Sequence, residues 1–169
     1  KTQANPGYLE IVEGSIFDHE IIEKLFSNAD ICVNLVGILF EKGKNNFNNI
    51  HTEFPKMISR YASTYKIEKF IHLSALGIEN AKDSIYAQSK FEGEKEILNN
   101  FNKAVIVRPS IVYSVDDNFT TQLMTLLGIL PIFPIYYNGK TKFRPIFCSD
   151  LTKSITKIIT DDIKENIIE

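Results

Sequence analysis

Cysteine is scarce in the sequence, and nothing in it has the spacing of a metal site. Cys32 and Cys148 lie far apart, each inside an apolar stretch, which predicts buried free thiols in a reducing compartment. The three histidines also lack metal-ligand spacing, and we expect them to be satisfied polar or half-buried side chains: His19, His51 and His72. The sequence therefore predicts no metal site.

An excess of basic charge is also missing. There are 19 Lys and Arg residues against 21 Asp and Glu residues, and the formal net charge is −2 at pH 7. Because the two signs are interspersed, there is no basic stripe that could follow a phosphate backbone, and nucleic acid is not an expected partner.

No apolar run has the composition of a membrane span. Segment 118–139 carries no charge, but Pro131 and Pro134 interrupt it. The polar start at residues 1–6 predicts no secretory leader. We therefore expect a cytoplasmic protein without a transmembrane segment.

A glycine-rich phosphate-binding turn is absent as well. The eight glycines never approach the spacing Gly-x-x-Gly-x-x-Gly. In open parallel sheets that bind dinucleotides, such a turn holds the pyrophosphate at a helix N-terminus. Any dinucleotide site in this chain would therefore lack its pyrophosphate half.

Short apolar runs alternate with helical patterns along the chain. The expected strands are 8–12, 31–36, 69–73 and 104–107. The expected helices are 18–26, 52–65, 84–99 and 151–159, with Asp18, Ser84 and Asp150 as N-caps. A further helix beyond 118 and a tight turn at 137–140 are also expected.

This alternation indicates an α/β fold, a Rossmann-type doubly wound parallel sheet whose N-terminal strands are missing from this chain. We expect one partial domain over 1–169, with 118–145 as a small apolar subregion for substrate or docking. Ligands bind such sheets at the carboxyl edge of the strands.

One pair of residues has the spacing of an acid/base pair. Tyr86 and Lys90 are four apart and share a helix face, so the ammonium is expected to lower the pKa of the phenol. Ser74 ends a buried strand twelve residues before Tyr86, a context that the two other pairs with this spacing lack: Tyr65/Lys69 and Tyr136/Lys140.

A structural reading of these residues remains open. Tyr86 and Lys90 could be a helix-surface pair in which the lysine extends its ammonium to water. The Ser74 hydroxyl could bond to nearby backbone, and Gly37 could simply end a strand.

The arrangement of Ser74, Tyr86 and Lys90 resembles that of the short-chain dehydrogenase/reductase (SDR) superfamily. The resemblance implies that Tyr86 is the general acid/base, that Ser74 orients a substrate carbonyl, and that Lys90 also holds the nicotinamide ribose. These three are the candidate catalytic residues.

Further segments resemble the atypical or extended branch of that superfamily, the NAD-dependent epimerase/dehydratase-like proteins. The most similar group is the NADPH-binding accessory subunits of respiratory complex I and their bacterial relatives. The matching segments are 34–37, 69–74, 86–90 with 93–94, 108–113 and 117–119.

The resemblance also implies a set of cofactor-binding residues: Ser15, Ile16, Leu35, Val36, Gly37, Tyr86, Lys90, Pro109 and Ser110. Ser15 stands where the family usually has a carboxylate that accepts from the adenine amine, which weakens that contact, although the backbone N–H of Ile16 could still serve. The implied cofactor is NADP(H) or NAD(H), and only the resemblance favours NADPH.

Three functions follow as expectations. The first is an NAD(P)(H)-binding subunit-like protein that contacts complex I subunits, cytoplasmic in a bacterium and peripheral on the inner face of the inner membrane. The second is an active reductase or epimerase acting on a small sugar-nucleotide or carbonyl substrate. The third is a domain that has lost nucleotide binding.

Overall fold

The computed structural model describes residues 9–115 and 142–169, together with the isolated positions 121, 125 and 128. The expected turn at 137–140 and nearly all of the helix expected beyond 118 lie outside the described residues. The same holds for most of the 118–145 subregion.

The described helices and strands alternate along the chain. The α-helices are α1 His19–Phe26, α2 Phe54–Thr64, α3 Ile85–Asn100 and α4 Cys148–Thr160. A wide π-helical turn, Asn48–Glu53, leads directly into α2. The strands are β1 Ile31–Asn34, β2 Lys69–Leu73, β3 Val105–Val107, β4 Val112–Tyr113, β5 Ile146–Phe147 and β6 Ile167–Ile168.

Four of these strands form one parallel sheet in the order β1-β2-β3-β6. β4 and β5 pair in parallel as a second, two-stranded sheet. The carboxyl ends of β1, β2 and β3 therefore meet at one edge, where their connections to the next helices begin. The predicted Rossmann-type parallel sheet is confirmed.

Helices cover both faces of the main sheet, because its strands are apolar on both sides. On one face, the helices α1, α2 and α3 pack on Phe70 and Ile106 through residues such as Ile58 and Ile97. On the other face, Leu151 and Ile158 of α4 pack against residues of β2 and β3: Ile71, Val105 and Val107. The sheet is doubly wound, as predicted.

Two of the three predicted helix caps are confirmed. The Asp18 carboxylate accepts from the N–H of Ile21 at 3.2 Å, and the Ser84 hydroxyl oxygen accepts from Ala87 N–H at 3.3 Å. The Asp150 cap is wrong, because α4 begins directly after β5 ends at Phe147. Asp150 lies in the first turn, where a negative charge still interacts favourably with the helix dipole.

The strand predicted at 8–12 is not formed by the described residues 9–12, whose side chains are exposed; Ile11 is 79% accessible. An extended segment becomes a strand only when a neighbour pairs with its backbone, and no described strand does so here.

β1 also ends at Asn34 rather than at 36, because the Asn34 side-chain oxygen accepts from Val36 N–H at 3.1 Å and turns the chain out of the sheet.

The cysteine prediction holds only in part. Both thiols are free; Cys32 is partly buried, and this burial raises its pKa to about 12, whereas Cys148 is exposed. Within the described part of the chain, no helix is long and apolar enough to cross a membrane, and no group of His, Cys, Asp and Glu could hold a metal ion.

Candidate functional site

A cleft of about 750 Å³ lies at the carboxyl edge of the main sheet. Its walls come from the segment after β1, the segment after β2, the start of α3 and the segment after β3. Eight of the ten predicted site residues line it: Leu35, Val36, Gly37, Ser74, Tyr86, Lys90, Pro109 and Ser110. The fold thus brings together predicted site residues that are up to 75 positions apart in the sequence, Leu35 and Ser110.

The two remaining predicted residues, Ser15 and Ile16, do not line this cleft. They form the turn before α1, where the Ser15 hydroxyl oxygen accepts from Phe17 N–H at 3.1 Å. Ile16 lines a separate groove beside α2 and packs partly against the core. The two residues that are expected to contact the adenine therefore lie outside this cleft.

Lys90 is the buried cation of the cleft. Its side chain lies inside the protein, and its ammonium donates to the carbonyl oxygen of Leu73 at 3.3 Å. An ammonium has three donors, and no second acceptor for it is found within the described ranges. Burial lowers the pKa of Lys90, and nearby Glu94 partly offsets that effect.

Tyr86 lies one helical turn before Lys90, as expected, but its acidity differs from the expectation. The Lys90 ammonium lies over the ring face, 5.9 Å from the centroid. Burial raises the pKa of Tyr86, so the predicted lowering by Lys90 is wrong. The ring is held edge-on by Phe47 and His51, with centroid distances of 5.7 and 5.2 Å.

Ser74 carries a buried hydroxyl without a partner. Its backbone N–H donates to the carbonyl of Val107 at 2.7 Å, which places it directly after β2, whereas its Oγ atom has no hydrogen-bond partner among the residues that the structure describes. Buried polar atoms are nearly always satisfied, so an orphaned hydroxyl in a cleft marks a place where a ligand group fits. The alternative that the Ser74 hydroxyl bonds to nearby backbone is therefore not what the described residues show.

Two buried histidines that no motif indicated lie beside this cleft. Asn34 donates from its amide nitrogen to His72 Nδ1 at 2.9 Å. Burial and the nearby Lys90 ammonium lower the pKa of His72 to about 3 and that of His51 to about 4. Both histidine side chains are buried and hydrogen-bonded, as expected. The sequence did not predict that they lie beside the site.

Sequence comparison finds relatives over most of the chain, although no family model matches it. Subunit 9 of the 1 alpha subcomplex of mitochondrial NADH dehydrogenase (ubiquinone) from Mus musculus is 27% identical over 92% of this chain and 41% of its own length. The 40 kDa subunit of mitochondrial NADH-ubiquinone oxidoreductase from Neurospora crassa is 23% identical over 96% of this chain and 42% of its own length.

A bacterial enzyme is also similar. The ceramide reductase of Caulobacter vibrioides is 25% identical over 75% of this chain and 40% of its own length. The chain thus spans about two fifths of the length of the curated relatives that it matches.

Solved structures share the fold. MoeE5 in complex with UDP-glucuronic acid and NAD has a TM-score of 0.75 at 13% identity, covering 99% of this chain and 64% of that chain. The UDP-glucuronic acid 4-epimerase of Bacillus cereus with NAD has a TM-score of 0.69 at 20% identity, with coverages of 93% and 57%. The dTDP-4-dehydrorhamnose reductase of Bacillus anthracis with NADP has a TM-score of 0.64 at 16% identity, with coverages of 86% and 58%.

The expected resemblance is therefore confirmed: the chain is similar in sequence to subunits of mitochondrial NADH-ubiquinone oxidoreductase, and it shares its Rossmann-type fold with an epimerase and a reductase whose structures contain NAD or NADP.

Proposed function

We propose that this chain carries the nicotinamide half of a dinucleotide site in an NAD(P)(H)-binding atypical SDR protein. The observation that carries this proposal is the cleft at the carboxyl edge of the sheet, where Gly37, Ser74, Tyr86 and Lys90 line one space. Ligands of open α/β sheets bind at this edge. Solved proteins with this fold contain NAD or NADP, and the resemblance alone favours NADPH.

The residues of the cleft fit a nicotinamide ribose. Lys90 would donate to the ribose hydroxyls, because its ammonium has donors to spare beyond the bond to Leu73. Gly37 presents no side chain, so a ligand can approach the backbone at the end of β1. The apolar side chains of Leu35 and Val36 line the same cleft and would pack against the flat faces of a bound group.

We further propose that the protein acts as a subunit-like partner of a respiratory NADH-ubiquinone oxidoreductase. The sequence relatives that are subunits of that complex support this role. In this role the protein holds its nucleotide structurally, in the cytoplasm of a bacterium, and lies peripherally on the inner face of the inner membrane.

A test of nucleotide binding compares three lysines in the full-length protein. Lys90→Ala is expected to weaken the binding of NADPH or NADH about 10- to 100-fold, because a hydrogen bond to a charged group contributes about 1.5–3 kcal/mol. Lys69→Ala and Lys140→Ala should weaken it less, because only Lys90 is expected to reach the nicotinamide ribose. Isothermal titration calorimetry measures all three.

The structure explains why Lys69 is a suitable control. Its ammonium donates to carbonyl oxygens of Ile158, Ile159 and Asp161 at 2.6–3.2 Å. Lys69 therefore caps the carboxyl end of α4, away from the cleft, and its removal should lower stability instead of affinity. Equal losses of affinity in the three variants would remove the reason for choosing Tyr86 and Lys90 over the other pairs.

The orphaned hydroxyl of Ser74 favours a second function, an active reductase or epimerase on a carbonyl or sugar-nucleotide substrate. A bound nicotinamide supplies or accepts hydride in such enzymes. In this chain Ser74 would donate a hydrogen bond to the substrate oxygen, and the Tyr86 hydroxyl would transfer the proton to or from it. The similarity to a bacterial ceramide reductase supports this alternative.

The subunit role is tested at the uncharged segment 118–139, which lies largely outside the described residues. Replacing both Leu127 and Phe133 with Asp is expected to abolish co-purification with the respiratory complex while leaving NADPH affinity nearly unchanged. Affinity capture from membranes, followed by calorimetry on the purified variant, measures both effects.

Two results would contradict the docking role. Loss of cofactor binding or of folding would assign the segment to the pocket or the core. Retention of both cofactor and partners would show that the segment does not form the contact.

A further inference from the structure

We propose that His51 is a positioning residue that locks the segment after β1 to the helix that carries Tyr86 and Lys90. This inference rests on the proposed nucleotide function, because the two parts that His51 joins are two walls of the same cleft. His51 itself does not line that cleft. Its role is to act through its neighbours.

The hydrogen bonds of His51 assign its tautomer and show what it joins. Its Nε2 atom accepts from the backbone N–H of Ile38 at 3.1 Å, so this nitrogen carries no proton. Its Nδ1 atom therefore carries the proton and donates to the Ser89 hydroxyl oxygen at 3.0 Å. The Ser89 hydroxyl then donates to the carbonyl of Tyr86 at 2.8 Å. One neutral imidazole thus connects Ile38 to the first turn of α3.

The same ring also fixes side chains. It stands edge-on to Tyr86, with centroids 5.2 Å apart and planes at 89°, and it stacks on Phe47 with centroids 5.5 Å apart. A methyl group added at Gly37 would lie 3.8 Å from both His51 Nε2 and Lys90 Nζ. Gly37 therefore lies close to both the His51 imidazole and the Lys90 ammonium.

The consequence is preorganisation of the cleft. If the bond between Ile38 and His51 is lost, the segment after β1 can move away from α3, and Lys90 then no longer lies at a fixed distance from Gly37. Dinucleotide binding would have to restore that geometry at the expense of affinity. Nothing local in the sequence signals this role, because His51 is 13 residues from Ile38 and 38 from Ser89.

The experiment uses the full-length protein with NADPH and NADH as probes. His51→Phe keeps the ring and removes both hydrogen bonds, and we expect it to weaken binding about 10-fold, equivalent to about 1.4 kcal/mol. His51→Gln can still accept from Ile38 through its amide oxygen, and it should restore most of the affinity. Added to Lys90→Ala, His51→Phe should cause little further loss, because residues that act through one another are not additive.

Thr52→Val is the matched control for helix docking. The Thr52 hydroxyl donates to the carbonyl of Ser89 at 3.0 Å, so this variant removes a bond between the same turn and the same helix without touching Ile38. It should lower stability and leave the affinity unchanged. If Thr52→Val weakens binding as much as His51→Phe does, or if His51→Phe binds normally, the positioning role is overturned.

Two further outcomes are decisive. If His51→Phe does not fold, ¹⁵N NMR of the histidine-labelled wild-type protein replaces it: a protonated Nδ1 with an unprotonated Nε2 is expected, and the opposite tautomer would overturn the proposal. If the wild-type protein binds neither NADPH nor NADH, the proposed function fails, and this inference fails with it. Normal wild-type binding with an unaffected His51→Phe variant overturns the inference alone.

Discussion

Replacing Arg108 with Met is expected to lower the free energy of unfolding by about 3–5 kcal/mol, the cost of leaving a buried carboxylate without its partner. Arg108 follows β3, and its side chain is buried with that of Glu94 on α3. The two form a bidentate pair with distances of 3.0 and 2.6 Å. Removing the guanidinium would leave Glu94, only 2% exposed, as an unpaired buried charge.

The pair belongs to a larger network. The Nη1 atom of Arg108 also contacts Glu79 at 3.3 Å and Glu169 at 3.1 Å. The hydrogen bonds with Glu94 raise the pKa of the guanidinium above its usual range. Arg108 therefore ties together α3, the segment after β2 and the residue that follows β6, and it does so next to Pro109 in the wall of the cleft.

Urea denaturation of the full-length protein measures this effect. Lys153→Met is the matched control, because Lys153 pairs with Asp150 at 3.2 Å on the surface, where such a pair contributes at most about 1 kcal/mol. Adding Glu94→Leu to Arg108→Met should restore much of the lost stability, since it removes the unpaired charge. A loss as small as that of the control would contradict the assignment of a buried pair.

Gly93→Ala is expected to lower the free energy of unfolding by about 3 kcal/mol and to weaken NADPH binding as well. A methyl group at Gly93 would coincide with the backbone carbonyl oxygen of His51. The methyl group is fixed to the backbone of α3 and the oxygen belongs to the backbone of the turn, so the clash is relieved only if α3 moves away from the π-helical turn. Overpacking of this kind typically costs about 1–3 kcal/mol, and sometimes more.

The close approach has a cause in the sequence. Pro55 has no N–H, so the His51 carbonyl, four residues earlier, cannot receive the usual helical hydrogen bond. The helix forms a wider π-helical turn at this point, in which the Phe54 N–H donates to the carbonyl of Asn49, five residues earlier. Gly93 fits against the His51 carbonyl because it has no side chain.

The direction of the Gly93 effect is diagnostic. In an ordinary exposed helix position, Gly→Ala stabilises by about 1 kcal/mol, so a large loss can come only from packing. Gly37→Ala serves as the stability control, because its methyl group would make ordinary contacts at 3.8 Å. Urea denaturation of the full-length protein tests both variants, calorimetry tests NADPH binding by Gly93→Ala, and a stabilised Gly93→Ala protein would contradict the helix contact.

Local patterns in the sequence were sufficient for much of the fold. The strand predicted at 69–73 has the observed bounds of β2, because a short, largely apolar run that ends at a polar residue is typical of a parallel strand covered on both faces. The caps at Asp18 and Ser84 depend on side-chain bonds to N–H groups three residues away. Such short-range interactions can be predicted from the order of the residues along the chain.

Predictions from the sequence were wrong where a structural feature depends on contacts with residues that are distant in the sequence. Residues 9–12 have the pattern of a strand, but no described strand pairs with them. Asp150 has the pattern of a cap, but the position of β5 decides where α4 begins. The acidity of Tyr86 likewise depends on how far tertiary packing buries the side chain, which spacing along a helix does not specify.

The sequence by itself determined the alternation of strands and helices, the shared face of Tyr86 and Lys90, and the edge of the sheet where the cleft lies, because each follows from backbone periodicity and strand direction. Only the tertiary structure decided that Ser74 keeps an unpartnered hydroxyl, that Arg108 pairs with Glu94, and that His51 lies between Ile38 and Ser89. The contacts of Arg108 and His51 join residues 13 to 38 positions apart. They form only when the packed sheet and helices bring distant segments within a few ångströms.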